Sequence, residues 1–290
     1  MIGDACPIFA QSFESFMTDS IISQLETTKQ FIEKIYPYKP SIGIVLGSGL
    51  DNFVRNIEVE KEIDYGLIPN FPIATVKGHP GKLIFGKAGN KRIVAMAGRF
   101  HFYEGYSPQQ VVFPIRVMKW LGVNTLLISN AAGGMNPTFK VGDLMVIKDH
   151  ISLFVLNPLI GKNDDELGLR FPDMSEPYDR HLISKLQAVA SRLSIPVKEG
   201  VYAGVTGPTF ESRSEYKMLH MAGGDAVGMS TVQEVIAARH LGMQVVALSV
   251  ISDLGIREED NLITHEEVLD AAREAEPKMT AIFRALIEEL

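Results

Sequence analysis

The sequence predicts an α/β protein, a single three-layer domain over residues 1–290. Short apolar runs recur along the chain, each closing on glycine, serine or asparagine, and segments of helical period alternate with them. Three of those segments open on a capping box: Ser212-Arg-Ser-Glu215, Thr231-Val-Gln-Glu234 and Thr264-His-Glu-Glu267. No repeat, low-complexity linker or composition break divides the chain.

In order, Ile21–Tyr36 carries Ile22, Leu25, Phe31, Ile32 and Ile35 at helical spacing and reads as an N-terminal helix over about 20–37. Ser41–Leu46 reads as a buried strand ending in Gly47-Ser48-Gly49. Lys82–Phe85 and Lys91–Ala95 read as a strand pair around the turn Ala88-Gly89-Asn90. Ser107-Pro108 starts a helix, the hydroxyl capping and the proline taking the first helical position, and it runs through Trp120 to Gly122. Thr125–Ser129 is the next strand, terminating in Asn130-Ala-Ala-Gly-Gly134, for which a plain turn is a fair rival reading. Leu144–Ile147, Lys198–Val205, Asp225–Gly228 and Gln244–Ile251 read as strands. Asp179–Leu193 and the three capped segments read as helices, the last over about 264–290. Asn157–Pro177, rich in Asp, Gly, Asn and Pro, is expected to be a long loop.

Composition narrows the function classes. A chain of 290 residues can bury roughly 75% of its unfolded surface. Its net charge of −7, without a Lys/Arg cluster, argues against a nucleic-acid partner. The lone Cys6 fits a reducing compartment. The first residues lack a basic start and an apolar segment, and no apolar run approaches the roughly 20 residues of a membrane span. The expectation is a cytoplasmic protein with no membrane partner.

Gly98–Tyr106, Gly-Arg-Phe-His-Phe-Tyr-Glu-Gly-Tyr, is the stretch richest in chemistry. Arg99, His101 and Tyr103 alternate, and in an extended backbone alternate residues share a face. Arg offers a fork suited to phosphate or carboxylate, His a further donor, and Tyr a flat wall with a polar tip. The plain alternative is a surface loop in which Arg99 pairs with Glu104. Ser48, Ala131, Ser230 and Ser252-Asp253 each stand where an apolar run ends, and ligands of α/β sheets gather at the carboxyl ends of strands. Ser230 precedes the capping Thr231, so its hydroxyl lies at a helix N-terminus suited to an anion; for Thr231 and Glu234 themselves, capping suffices. Glu211 precedes the capping Ser212 in the same way. No His-Glu-x-x-His occurs, the single cysteine rules out thiolate metal sites, and Val232 spoils a nucleophile elbow at Gly228–Val232. His150, His181, His220 and His240 read as structural or surface residues.

Gly47–Leu50, Gly78-His-Pro-Gly81, Gly98–Tyr106, Asn130–Pro137, Gly207–Glu211, Val227–Glu234 and His265-Glu-Glu-Val268 together resemble the purine nucleoside phosphorylases, in the trimeric branch that acts on 6-oxopurine nucleosides. The resemblance covers a core of about 42–272. It implies a central mixed, partly barrel-like sheet flanked by helices. It also implies attack of inorganic phosphate on the anomeric carbon of a purine nucleoside, giving free base and pentose 1-phosphate. Phosphate would be held by Ser48, Arg99, His101, Ser230 and the amide of Ala131, under a loop carrying His79. Sugar contacts would fall to Tyr103, Met229 and His265, and base contacts to Phe210, Glu211, Val227, Ser252 and Asp253. His101, Glu211, Asp253 and His265 would carry the catalytic roles, with no metal or organic cofactor, in a homotrimer whose sites lie near subunit interfaces.

Two departures stand out. Residue 253 is Asp where that branch carries Asn. A proton held on Asp253 by the neighbouring Glu211 charge would restore an amide-like donor and acceptor pair. The segment after Leu153 is also shorter than in mammalian-type members, and Phe154 is the candidate for the aromatic residue lent to a neighbouring subunit. The rival readings are a 6-aminopurine enzyme resembling methylthioadenosine phosphorylase, and a non-catalytic nucleoside-binding homologue. Arg99–Tyr103 and Glu211 speak against both.

Overall fold

Five consecutive buried residues, Ile42–Leu46, form strand β1 near the middle of the sheet, where only side chains apolar on both faces fit. A computed structural model describes residues 20–47, 51–73, 81–256 and 264–290. Strands follow at Glu58–Asp64 (β2), Lys82–Ala88 (β3), Lys91–Ala97 (β4), Thr125–Gly134 (β5), Leu144–Ile151 (β6), Val197–Gly204 (β7), Ala226–Gly228 (β8) and Gln244–Leu254 (β9). Helices are Ile21–Ile35 (α1), Pro108–Trp120 (α2), Arg180–Arg192 (α3), Arg213–Met221 (α4), Val232–His240 (α5) and His265–Glu288 (α6).

The sheet is mixed and closes on itself. Its order is β2-β3-β4-β1-β5-β8-β7-β6-β9, and β9 also pairs with β5 in parallel along its length. Strands β5, β8, β7, β6 and β9 thus form a barrel, with β1 to β4 as an arm leaving β5. Helices α1, α2 and α5 pack together in one group and α3 packs on α6, the two groups flanking the sheet. The expected α/β class with a barrel-like mixed sheet is the observed one.

Local chemistry sets the boundaries. Ser20, Ser107, Asp179, Ser212 and Thr264 each accept a backbone N–H from the first turn of their helices. In return the backbone N–H groups of Ser107, Ser212 and Thr264 donate to the side-chain oxygens of Gln110, Glu215 and Glu267. Residues 157–177 form no helix or strand, as their composition predicts.

Two elements differ from the sequence reading. β2, Glu-Val-Glu-Lys-Glu-Ile-Asp, has no apolar run, and its pattern does not predict a strand. It is an edge strand with only Ile63 buried, tied down by Lys82–Glu62 at 2.7 Å and Lys87–Glu60 at 3.0 Å. Charged side chains on an edge also discourage pairing with other chains. The segment Asn130-Ala-Ala-Gly-Gly134 is no turn but the second half of β5. Its residues are small because β8 and β9 press on them from either side: a Cβ on Gly134 would come within 2.8 Å of Ile251. Ala131 therefore stands within β5 rather than at its end, whereas Asp253 is the last residue but one of β9, as expected. Both line the same crevice.

Candidate active site

Strand β4 delivers its last buried residue at Ala97, and Arg99 follows in the interior with 2% of its surface exposed. A buried guanidinium needs a counter-charge and hydrogen-bond acceptors. Arg99 Nη1 donates to Ser230 Oγ at 3.1 Å, and Nε lies 3.4 Å from Glu234 Oε1. Nη2 is buried without a partner among the described residues, leaving one N–H pair of a desolvated cation unsatisfied by them. The plain reading that Arg99 pairs with Glu104 is overturned. Glu104 Oε1 instead accepts from the His101 backbone N–H at 2.8 Å and meets His101 Nδ1 at 2.9 Å. This holds Nδ1 as the donor, and the ring lines the cleft. The His101 ring stacks on Tyr103, centroids 4.7 Å apart and 16° from parallel. Phe102–Glu104 is a 3₁₀ turn rather than extended chain, yet Arg99, His101 and Tyr103 all line one cleft. Burial and the Glu104 charge push the Tyr103 phenol up to about 12, so it stays neutral.

Ser230 is held by strained backbone. Thr231 has φ 70° and ψ −54°, and Val232 N–H bonds back to the Ser230 carbonyl at 2.7 Å. That is the rare γ-turn of positive φ, which a non-glycine residue adopts only when its surroundings force it. They do so here. Asn130 Nδ2 donates to Thr231 Oγ1 at 2.9 Å, and Thr231 N–H donates to Glu234 Oε2 at 3.1 Å. Glu234 thus caps α5 with one oxygen and faces Arg99 with the other, more than the capping role expected from its sequence.

Across the cleft, Asp253 owes its position to a bulge. Ala132 pairs with Ile251 and Gly133 with Asp253, so Ser252 is an extra residue in β9. A bulge breaks the alternation of faces, and both Ser252 and Asp253 line the cleft. Asp253 is 5% exposed and both of its oxygens accept hydroxyls: Oδ1 from Ser252 Oγ at 2.8 Å, Oδ2 from Tyr216 at 3.4 Å. Glu211 faces the same space with Oε1 buried and without a partner among the described residues. Burial, with the Asp253 and Glu215 charges adding to it, raises the Glu211 carboxyl above its ordinary range. Donors lie on both Asp253 oxygens, while the carboxyl that burial raises is that of Glu211.

The cleft, with the open space at its mouth included, spans about 690 Å³. Arg99, His101, Tyr103, Ala131, Phe210, Glu211, Val227, Met229, Ser230, Ser252, Asp253 and His265 all line it, the last from the first turn of α6. Ser48 and His79 lie outside the described residues. Phe154 does not reach this cleft. It is 40% exposed and lines an adjoining groove with Val205, Thr209 and Met218. Sequence reasoning missed Glu104 as the partner of His101, Glu234 as the partner of Arg99, and Tyr216 altogether. Only the first had a signal, its three-residue spacing from the histidine. Among the described residues, no group of three or more His, Cys, Asp or Glu side chains is arranged to hold a metal ion.

Arginine, serine and histidine donors at one end and two carboxylates at the other suit a ligand with an anion beside a flat, polar-edged ring. Known proteins resemble this chain along most of its length. The model of the family described as the phosphorylase superfamily matches residues 41–288. Purine nucleoside phosphorylase 1 of Geobacillus stearothermophilus is 47% identical over 266 residues, 92% of this chain and 97% of that protein. The purine nucleoside phosphorylase of Mus musculus is 44% identical over 272 residues, 91% of this chain and 94% of its own. The crystal structure of isoform 2 of purine nucleoside phosphorylase from Schistosoma mansoni, in complex with cytosine and ribose-1-phosphate, superposes with a TM-score of 0.88 at 46% identity, over 92% of this chain and 96% of that one. A Schistosoma mansoni purine nucleoside phosphorylase in complex with adenosine gives 0.87 at 42% identity, over 93% of this chain and 98% of that one.

Proposed function

The chain belongs to the phosphorylase superfamily, among its purine nucleoside phosphorylases, and we propose from its site that it cleaves purine nucleosides by phosphorolysis, yielding free base and (deoxy)ribose 1-phosphate for purine salvage. The observation that carries this reading is Arg99: a buried guanidinium whose Nη2 has no partner among the described residues, fixed beside the Ser230 hydroxyl on the wall of a base-sized cleft. An inorganic phosphate seated there supplies the missing acceptor oxygens.

The reaction forms a bond from a phosphate oxygen to the anomeric carbon and breaks the bond from that carbon to the purine N9. The bonding electrons leave with the purine, which takes a proton at N7, and hydrogen phosphate gives up one proton as it becomes the sugar's phosphate ester, so protons and charge balance. Phosphate brings its own charge as nucleophile, so the protein has to position and neutralise it. Arg99, His101, Ser230 and the Ala131 amide are assigned to that work, with Ser48 and His79 completing the phosphate side. Tyr103 and Met229 wall the sugar, and His265 faces the 5′-hydroxyl. Phe210 and Val227 sandwich the base, Glu211 accepts from N1–H, and Asp253, steadied by Ser252, accepts from N7–H. Phosphate is a co-substrate, and no metal or organic cofactor enters this scheme.

Glu211 favours 6-oxopurines such as inosine and guanosine, since adenine has no N1 proton to give. Asp253 favours a 6-amino group in turn, so adenosine is a secondary substrate. The exposed Phe154, beside the groove that Glu211 also borders, supports a homotrimer in which this aromatic residue reaches a neighbouring sugar site. The lone Cys6 supports a cytoplasmic setting. Inosine turnover measured with and without phosphate tests the reading: base release without phosphate at the same rate contradicts it.

A further inference from the structure

Tyr216 stands on α4, whose start at Ser212 ties it to Glu211 one residue earlier. Its ring is 2% exposed and sits in a seat cut by two glycines. A Cβ on Gly255 would lie 2.0 Å from Tyr216 Cδ1, and one on Gly133 would lie 3.1 Å from both the Tyr216 hydroxyl and Asp253 Oδ2. The backbone on both sides has therefore given up side chains to place this phenol against Asp253. Its hydroxyl donates to Asp253 Oδ2 at 3.4 Å and also faces Glu211, whose Oε1 is buried without a partner among the described residues. One hydroxyl proton thus stands between the two carboxylates that border the base end of the cleft.

We propose that Tyr216 is a specificity-determining residue: its hydroxyl commits Asp253 to the role of a hydrogen-bond acceptor and so admits 6-aminopurines to a pocket otherwise built for 6-oxopurines. This rests on the purine nucleoside reading above and deepens it. An acceptor-only Asp253 welcomes an exocyclic amine and repels an exocyclic oxygen. A donor aimed at a carboxylate favours its charged form, and removal of that donor favours uptake of a proton. Without the hydroxyl, Asp253 beside the Glu211 charge can hold a proton and donate it to a 6-oxo group, as an asparagine amide would. Burial and the two carboxylates raise the Tyr216 phenol far above its ordinary range, so it remains a donor throughout.

The test is Tyr216→Phe, which keeps the ring in its seat, assayed alone and combined with Asp253→Asn. The ratio of inosine to adenosine kcat/KM is expected to rise about fivefold or more in Tyr216→Phe, one hydrogen bond to a charged group's worth at a long distance. In the Asp253→Asn background the same change should move the ratio by less than about twofold, because no carboxylate is left to bias. Affinities of hypoxanthine and adenine, measured calorimetrically on the same proteins, should shift in the same sense and separate recognition from chemistry. An unchanged ratio in an active, folded Tyr216→Phe overturns the proposal, as does an equal shift in the Asp253→Asn background. A wild-type protein that releases no base from either nucleoside in phosphate, and binds neither base, overturns the purine nucleoside reading itself.

Discussion

Glu211→Gln separates what this carboxylate does for the base from what it costs the fold. The replacement is close to isosteric, so packing is kept while the charge is lost. Burial, reinforced by Asp253, raises the carboxyl pKa in the native state. A carboxylate whose folded pKa exceeds its unfolded value opposes folding when it is ionised. That opposition is absent below the ordinary value of 4.5, grows as pH rises toward the folded pKa, and is complete above it. A buried polar group left unsatisfied costs roughly 1–3 kcal/mol, and the amide retains part of that cost. The variant should therefore gain about 1 kcal/mol near pH 8, or about 2–4 °C in Tm, with the gain vanishing as pH falls toward 4.5. Activity should move the other way. A neutral acceptor for N1–H is weaker than a charged one by about 1–1.5 kcal/mol, so inosine kcat/KM should fall about 5- to 12-fold. Adenosine, which has no N1 proton, should be spared. Wild-type inosine kcat/KM should also decline as pH drops through the raised Glu211 pKa, and the variant should lose that limb. Thermal unfolding at two pH values and steady-state kinetics on both nucleosides check the argument. A variant that is less stable near pH 8 with an unaltered inosine-to-adenosine ratio would refute it.

Arg99→Ala leaves Glu234 buried without its counter-charge, which costs about 3–5 kcal/mol, so a large drop in Tm should accompany loss of phosphate binding; thermal unfolding with and without phosphate checks both. Asp253→Asn should raise the inosine-to-adenosine ratio of kcat/KM by about tenfold, one hydrogen bond's worth, and an unchanged ratio would mean that residue 253 does not read position 6. Gly255→Ala drives a Cβ to within 2.0 Å of the Tyr216 ring, so stability should fall while the inosine-to-adenosine ratio rises, whereas a Tyr216→Phe protein should keep its Tm within about 2 °C.

Most of the fold was legible because its helices announce themselves. Ser107-Pro108, Ser212–Glu215 and Thr264–Glu267 are local devices, and local devices survive folding unchanged. The barrel was not legible from periodicity. Pairing of β5 with β9 joins residues more than a hundred positions apart, and only the resemblance suggested it. β2 escaped because an edge strand needs no apolar face, and the second half of β5 escaped because Asn-Ala-Ala-Gly-Gly serves a turn and a tightly pressed strand equally well. The same division holds for the site. Arg99, His101, Ser230, Glu211 and Asp253 were visible as residue types at plausible ends of elements. Their partners Glu234 and Tyr216 were not, since each comes from a distant segment and carries a sufficient local reason to be where it is. The Ser252 bulge that brings two adjacent side chains into one cleft is likewise a property of pairing, which a single strand does not display.

The central claim is that the donors around Arg99 exist to hold the attacking phosphate. The most direct measurement is the rate of hypoxanthine release from inosine as phosphate is titrated from none to saturation, with ribose 1-phosphate quantified alongside. The account predicts no release above background without phosphate, saturation with phosphate, and one ribose 1-phosphate formed per base. Base release that is independent of phosphate, with free ribose as the product, would contradict it.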